Sequence, residues 1–459
     1  MARPDLPGSF AATVRDVVGA THLVTDRSVL AGHEVDWTGR FRGRAEALVR
    51  PGSTTEVAAI VGAARADGVA LVPQGGNTGL VGGAVPGEGS VVVDLGRLSS
   101  IVDVDGGSGQ LTAGAGATIT AVQQGATAAG WAYGVDWAAR DTATVGGSVA
   151  TDAGGIRFVR HGGTRRQLLG IEAVLGTGAV VRHLPAVEKD NTGYDLAALL
   201  CGSEGTLGIV TAARLRLVAP PGPLATALVG FASVGDAVVA ASILRRELDG
   251  LEAVELVLAA GLDLVCRTLG LAPPFDRLPP AALLVEAGDR RDPALALGDA
   301  VAGLTGVVDA AVATDALRRR DLWRYREAHT EVIARLGAPH KLDVTLPAGE
   351  LAAFVEEVPA LVHVVAPDAT TWCFGHAADG NVHVNVTGVD PGDGRVDEVV
   401  LSRVAALGGS ISAEHGIGRA KRRFLHLART PGDIEAMRTI KAALDPAGIC
   451  NPGVLLPDL

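Results

Sequence analysis

Between residues 44 and 220 short apolar runs alternate with amphipathic stretches. ALVRPGSTTEVAAIVGAARADGVALVPQGG predicts a strand, a Pro-Gly turn, a helix and a second strand. Ser53 or Thr54 is placed to cap that helix, and Val57, Ile60, Val61 and Ala64 recur at helical spacing along one face. SVVVDL predicts a buried strand, IVDVDGGSGQLTAGAG a hairpin and ITAVQQGATAAGW a further helix. The pattern runs to LGIVTAARLRLV and stops at Pro220-Pro221-Gly222-Pro223, the best domain boundary in the chain. Beyond it, ATALVGFASVGDAVVAASILRREL and AALLVEAGD predict a sheet covered on one side by helices. A helical stretch, ALRRRDLWRYREAHTEVIARLG, precedes CFGHAADGNVHVNV, SAEHGIGRAKRRF and a last helix before DPAGICNPGVLLP. The class is α+β, divided at 1–43, 44–220, 221–420 and 421–459: a helical N-terminal segment, two domains, and a C-terminal segment returning to the first domain.

Composition narrows the function. A chain of 459 residues implies two or three cores. With 48% apolar and 20% charged residues it is globular. A net charge of -11 argues against a nucleic-acid partner. Lysine is scarce: Lys189, Lys341, Lys421 and Lys441 are the only four among 40 basic residues. Cys201, Cys266, Cys373 and Cys450 form no CxxC, which speaks against a disulfide framework or a thiolate zinc site. The N-terminus has no apolar signal core, and no apolar run reaches membrane-spanning length. A cytoplasmic protein is expected, with peripheral association at the inner membrane face left open.

Three glycine-rich loops fall within 44–220. PQGGNTGLVGG places five glycines in eleven residues between two strands. Such a loop lets backbone N–H groups converge on a phosphate without obstruction by Cβ atoms. It is not GxGxxG opening a helix, so it does not support a nicotinamide-binding Rossmann domain. DTATVGGSVATDAGGIRFVRHGGTR and GSEGTLGIVT follow in the same style. Together they suggest one large phosphate-bearing ligand.

These segments resemble the flavin domain of the vanillyl-alcohol oxidase / para-cresol methylhydroxylase superfamily. Over residues 44–457 the chain resembles, more narrowly, the FAD-linked D-2-hydroxyacid dehydrogenases: D-lactate and D-2-hydroxyglutarate dehydrogenases and the glycolate oxidase catalytic subunit. The resemblance implies a two-part FAD-binding domain, formed by 44–220 and 421–459, and a substrate (cap) domain with an antiparallel sheet. Pro73, Gly75, Gly76, Asn77, Thr78, Gly79 and Leu80 would hold the FAD pyrophosphate. Asp136, Thr142, Gly146, Gly147, Ser148, Gly154 and Gly155 would run along the flavin and ribityl chain. Glu204, Gly205 and Ile209 would meet the isoalloxazine or adenine end, and Asn451 would return to the flavin. The chain has Gln74, Asp152, His161 and Ala378 where the family often has Arg, Asn, Tyr and Gly. Covalent attachment at His161 is not expected, so the FAD is expected to be non-covalent.

Asp379-Gly380 is a two-residue hairpin signal. It predicts pairing of Ala378 with Asn381 and of His376 with His383, with Asn385 on the same face and Val382, Val384 and Val386 turned to the core. Two imidazoles on one face suit a shared metal. SAEHG offers Glu414 and His415 as a third donor. In the resembling family GHxGDGNxH and SxEHG together form a divalent-metal site, so His376, His383 and Glu414 would be the ligands. The set suits zinc, manganese or iron, zinc being the first expectation.

Arg326 and Thr330 lie one helical turn apart, and Lys341 follows in the alternating KLDVTLP. A guanidinium and an ammonium converging on one point would hold a carboxylate. The family match selects Arg326, Thr330 and Lys341 for this role, with Asn385 beside them. The expected reaction is oxidation of a small D-2-hydroxy acid, with His415 as general base and hydride passing to FAD. Electrons would leave to an electron-transfer protein, a quinone or oxygen. A homodimer is left open. Two alternatives stand beside it: a metallohydrolase using the His/His/Glu set, and an FAD-binding module without turnover.

Overall fold

The computed structural model describes residues 6–288 and 291–457. The first five residues of the expected N-terminal segment therefore lie outside the described residues. The chain forms two compact units, one comprising Met1–Ala153, Gly163–Ala219 and Glu414–Leu459, the other Gly154–Gly162 and Pro220–Ala413.

The first unit contains two sheets. The smaller has strands β1 (Leu23–Val24), β2 (Ala45–Val49), β3 (Leu71–Gln74) and β4 (Ser90–Asp94) in the order β1-β2-β4-β3, with β2, β4 and β3 parallel. The larger is antiparallel, with β5 (Ile101–Asp105), β6 (Gln110–Gly114), β7 (Leu168–Leu175), β8 (Val180–His183) and β9 (Gly208–Arg216) in the order β5-β6-β9-β7-β8. Parallel pairing of β2, β4 and β3 requires a crossover, which helix Thr54–Asp67 supplies between β2 and β3. Ser53 caps it by accepting the Glu56 N–H at 3.2 Å, and Gly68 ends it in the left-handed region at φ 66°. Its buried face is Val57, Ile60, Val61 and Ala64, the face expected from spacing. These residues join the strands of both sheets in one core.

The second unit is built on a seven-stranded antiparallel sheet. Its strands are β10 (Leu224–Phe231), β11 (Leu251–Leu258), β12 (Ala281–Gly288), β13 (Val307–Ala313), β14 (His340–Thr345), β15 (Thr370–His376) and β16 (Asn381–Thr387). The order is β13-β10-β12-β11-β15-β16-β14. Leu228, Ala253, Val257 and Leu284 on one face pack with Leu262, Cys266 and Trp323 from helices Ala259–Leu269 and Ala316–Glu327. The alternate face, with Ala225, Ala227, Val229 and Phe231, is equally buried beside helices Val234–Glu247 and Pro293–Ala302. Helices thus flank both faces, where the apolar pattern predicts cover on one. Among the described residues no helix is long and apolar enough to cross a membrane. All four cysteines are buried free thiols.

Candidate active site

In the second unit, four neighbouring strands put polar side chains on one sheet face. Register sets this arrangement. Glu255 on β11 opposes His376 on β15, and Phe374 opposes His383 on β16. On β14, Lys341 opposes Asn385, Asp343 opposes His383 and Thr345 opposes Asn381. Alternation along each strand carries Asn381, His383 and Asn385 to this face and buries Val382, Val384 and Val386 on the other.

The hairpin register differs from the expected one. His376 opposes Asn381 rather than His383. The connection is Ala377–Asp379 in a 3-10 turn followed by Gly380 at φ 78°, four residues where a two-residue turn is expected. A Cβ at Gly380 would collide with the Leu346 carbonyl oxygen, so the backbone course there depends on glycine. A shift of two keeps every side chain on its expected face. The two imidazoles remain neighbours, with ring centroids 5.2 Å apart and edge to face.

Each of these histidines leans on a carboxylate. Glu255 Oε1 accepts from His376 Nδ1 at 2.6 Å, and Asp343 Oδ1 accepts from His383 Nδ1 at 3.1 Å. A carboxylate only accepts, so both Nδ1 atoms carry the proton and both Nε2 atoms keep a lone pair. Asp343 Oδ1 also accepts from Asn381 Nδ2 at 2.7 Å. Burial would push the Glu255 carboxyl up, but His376 and Arg326 beside it outweigh burial and hold it below the ordinary range.

Arg326 is buried, with Nε 2.7 Å from Glu255 Oε2 and its guanidinium 4.6 Å over the Phe374 ring. The pair is a charge contact: neither Arg326 Nε nor Glu255 Oε2 has an aligned hydrogen-bond partner among the described residues. Lys341 Nζ donates to Asn385 Oδ1 at 3.1 Å, and burial lowers its pKa to about 8. Thr330 is half-buried in the short helix His329–Ala334, separated at Ala328 from the helix that ends at Glu327. The continuous helix expected from Arg326 to Thr330 is therefore two helices. His329 is fully buried against Phe374, its ring nitrogens have no side-chain hydrogen-bond partner among the described residues, and burial followed by Arg326 brings its pKa to about 3, so it stays neutral.

Sequence reading missed Glu255, Asp343, Asn381 and His329. The available signal was a single carboxylate inside each of the apolar strands AVELVL and KLDVTL. A buried charge needs a partner, and both carboxylates have one here.

The first unit gathers the glycine loops. A Cβ at Gly75 would strike Thr144 Oγ1, and one at Gly76 would strike the Thr142 carbonyl oxygen, so the Pro73–Leu80 loop lies directly against the second loop. Asn77 is held at φ 50°, with Nδ2 donating to the Val35 carbonyl at 2.9 Å. Thr144 caps the short helix carrying Gly146, Gly147 and Ser148, and Ser148 Oγ donates to the Val145 carbonyl at 2.9 Å. Asp136 pairs with Arg140 at 2.6 Å. A Cβ at Gly205 would lie 2.6 Å from Pro73 Cγ, which brings the third loop onto the first. Asn451 Nδ2 donates to the Glu204 and Gly83 carbonyls at 2.7 and 2.8 Å, while its Oδ1 is buried without a partner among the described residues. Ile209 is a core residue of β9. Gly154 and Gly155 belong to the segment Gly154–Gly162 of the second unit, where His161 Nε2 lies 3.8 Å from Glu252.

Glu414 and His415, both half-buried, begin the last stretch of the first unit, with His415 Nε2 4.0 Å from Glu414 Oε1. Their loop is fixed by Glu204, whose two carboxylate oxygens accept the Ile417 and Gly418 N–H groups at 2.8 Å each.

Residues 45–183 match the family model described as FAD binding domain, and residues 221–455 match FAD linked oxidases, C-terminal domain. The chain is 37% identical over 455 residues to a D-2-hydroxyglutarate dehydrogenase of Xanthomonas citri pv. viticola, covering 96% of each. It is 35% identical to the mitochondrial D-2-hydroxyglutarate dehydrogenase of Bos taurus, over 98% of this chain and 83% of the relative. Among solved structures, p-cresol methylhydroxylase with substrate bound superposes with a TM-score of 0.78 at 16% identity, over 98% of this chain and 97% of that one. An alkyldihydroxyacetonephosphate synthase gives 0.76 at 17% identity, over 98% and 86%. At such identities the structural likeness speaks for the fold, which is that of the vanillyl-alcohol oxidase / p-cresol methylhydroxylase group.

Proposed function

The chain belongs to the FAD-linked oxidase family that includes the D-2-hydroxyglutarate dehydrogenases, and from that membership we propose that it oxidises D-2-hydroxyglutarate to its 2-oxo acid with the help of a divalent metal. It is an FAD-linked oxidoreductase, and its relatives support a D-2-hydroxy acid as substrate. The observation that carries the finer reading is the polar sheet face of Glu255, Lys341, Asp343, His376, His383 and Asn385 with Arg326 from a helix against it, all buried in a chain of this family. The relatives matched over nearly the whole chain are D-2-hydroxyglutarate dehydrogenases, and the hydrolytic alternative leaves the glycine loops without a purpose.

The first unit fits a flavin nucleotide. Gly75 and Gly76 leave no room for a side chain, and the buried Asn451 Oδ1 is an acceptor suited to a ring N–H. When bound, FAD supplies the two-electron acceptor for the substrate's C2 hydride. The backbone of Gly75 to Gly79 would hold the pyrophosphate, and Thr142, Gly146, Gly147, Gly205 and Asn451 the rest, non-covalently.

His376 and His383 fit a metal because each donates Nδ1–H to a carboxylate and keeps its Nε2 lone pair. The GHxxDGNxH and SAEHG motifs add Glu414 as the third ligand. A divalent cation there, zinc first and manganese or iron next, would lower the pKa of the substrate hydroxyl. His415 would take that proton as general base. Arg326, through its two Nη groups, and Lys341, through its ammonium, would hold a substrate carboxylate, with Thr330 and Asn385 beside them. Electrons then pass to an acceptor outside the chain: an electron-transfer protein, a quinone or oxygen.

Anaerobic absorption spectra test this directly. Flavin bands should bleach on addition of D-2-hydroxyglutarate, and less or more slowly with D-lactate or glycolate. Bands that no hydroxy acid bleaches would refute the substrate and clamp assignments.

A further inference from the structure

Glu255 is fully buried in the middle of the apolar strand AVELVL. A carboxylate in that setting is costly unless both its oxygens are matched. Here one oxygen is hydrogen-bonded, and the other is met by a cation as a close ion pair without an aligned hydrogen bond. Oε1 accepts from His376 Nδ1 at 2.6 Å, and Oε2 lies 2.7 Å from Arg326 Nε. His376 is its cross-strand neighbour, whereas Arg326 comes from the helix Ala316–Glu327.

Each contact restricts its partner in a defined way. The bond to Nδ1 fixes the ring tautomer and leaves Nε2 as the only lone-pair donor of His376. The contact to Nε, together with the Phe374 ring under the guanidinium, leaves the Nη edge of Arg326 as the fork for an anion. We propose that Glu255 is the positioning residue of this site, and that through it the metal-binding form of His376 and the anion-binding orientation of Arg326 are set together. The proposal rests on the function proposed above and adds a residue that neither sequence motif contains.

Glutamine is nearly isosteric but cannot serve both partners. If its carbonyl accepts from His376, its amide N–H groups face the Arg326 Nε–H. If its amide is turned to His376, it donates to Nδ1 and forces the proton onto Nε2, removing the lone pair. Aspartate, one methylene shorter, cannot span both contacts. A residue needed only for packing would tolerate glutamine.

The test uses the full-length holoprotein with Glu255→Gln and Glu255→Asp. Flavin content and melting temperature serve as folding controls. Zinc affinity is read by competition with a chromophoric chelator, and KM and kcat with D-2-hydroxyglutarate. Glu255→Gln should keep its flavin, bind zinc about 10- to 100-fold more weakly, and show a KM raised on the order of tenfold. Wild-type zinc affinity and KM in a folded Glu255→Gln protein would overturn the proposal. A wild type that binds no zinc and ignores chelators would remove the metal assignment itself; KM then judges the Arg326 half, and an unchanged value overturns it. Should both variants fail to fold, long-range 1H–15N correlation on histidine-labelled wild type decides. His376 protonated on Nδ1 supports the proposal, and protonated on Nε2 it refutes it.

Discussion

The carboxylate of Glu204 accepts the backbone N–H of Gly418 at 2.8 Å. Its other oxygen takes the N–H of Ile417 at the same distance. Gly416 at φ 86° and Gly418 at φ 54° flank Ile417, so the N–H groups turn inward as an anion-binding concavity. The family resemblance implies a cofactor role for Glu204; in the fold both its carboxylate oxygens hold the loop that carries Glu414 and His415. Burial raises its pKa, opposed by these N–H groups and by Lys421.

Glu204→Ala should therefore act through that loop. Two N–H groups lose their acceptor, at a cost of roughly 1–3 kcal/mol each where buried. The melting temperature should fall by several degrees, and kcat should fall further than the stability loss explains, because His415 is no longer fixed. Calorimetry and steady-state kinetics on the same preparation check this. A kcat equal to wild type would separate Glu204 from the catalytic loop.

Gly76→Ala should give a colourless protein. The added methyl meets the Thr142 carbonyl oxygen and stands 3.2 Å from the Ala143 nitrogen, both of them backbone atoms of the facing loop. FAD retention after desalting is the measurement. Gly62→Ala is the control: its Cβ meets nothing within 4 Å inside helix Thr54–Asp67, so the protein should stay yellow and gain about 0.5–1 kcal/mol.

Local signals explain what could be read beforehand. Helix Thr54–Asp67 announced itself by Ser53, its apolar spacing and Gly68, all within one segment. The faces of β15 and β16 followed from alternation, which survives a register shift of two residues. The register itself did not follow, because Ala377 and Ala378 join the turn instead of extending the strands. Glu255 was out of reach for another reason. It lies 121 positions from His376, and nothing in AVELVL says which side chain will meet its carboxylate. Motifs expose groups that meet ligands, whereas the groups that orient them are set by sheet order.

Dialysis against a strong chelator should abolish hydroxy-acid oxidation while leaving the flavin bands intact, since the glycine loops and the histidine pair lie in different parts of the chain. Zinc, manganese or iron(II), added singly, should restore turnover, and the best of them identifies the metal. Full activity in metal-free protein would sink the ligand assignment.

Lys341 gives the reaction a pH limit of predictable sign. Its ammonium is buried beside Asn385, and burial lowers its pKa to about 8. Below that value it is charged and can hold a substrate carboxylate. As pH rises through about 8 it loses the proton and the anion loses a partner. The ratio kcat/KM should therefore be level on the acid side of this limb and fall above it, by at most about tenfold per pH unit. Lys341→Arg, which stays charged, should move the limb to higher pH. Stability runs the other way. An unfolded lysine keeps its proton to about 10.5, so between the two values the unfolded chain binds more protons than the folded one. Stability then rises with pH across that window, and the desolvation cost is fully present below it. Lys341→Met should be more stable than wild type at pH 7, and the difference should shrink as pH approaches 10, while its KM is high and insensitive to pH throughout. Chemical denaturation and kinetics over pH 6.5 to 10 measure both trends. A wild-type kcat/KM with no alkaline limb near 8 would show that this ammonium does not hold the substrate.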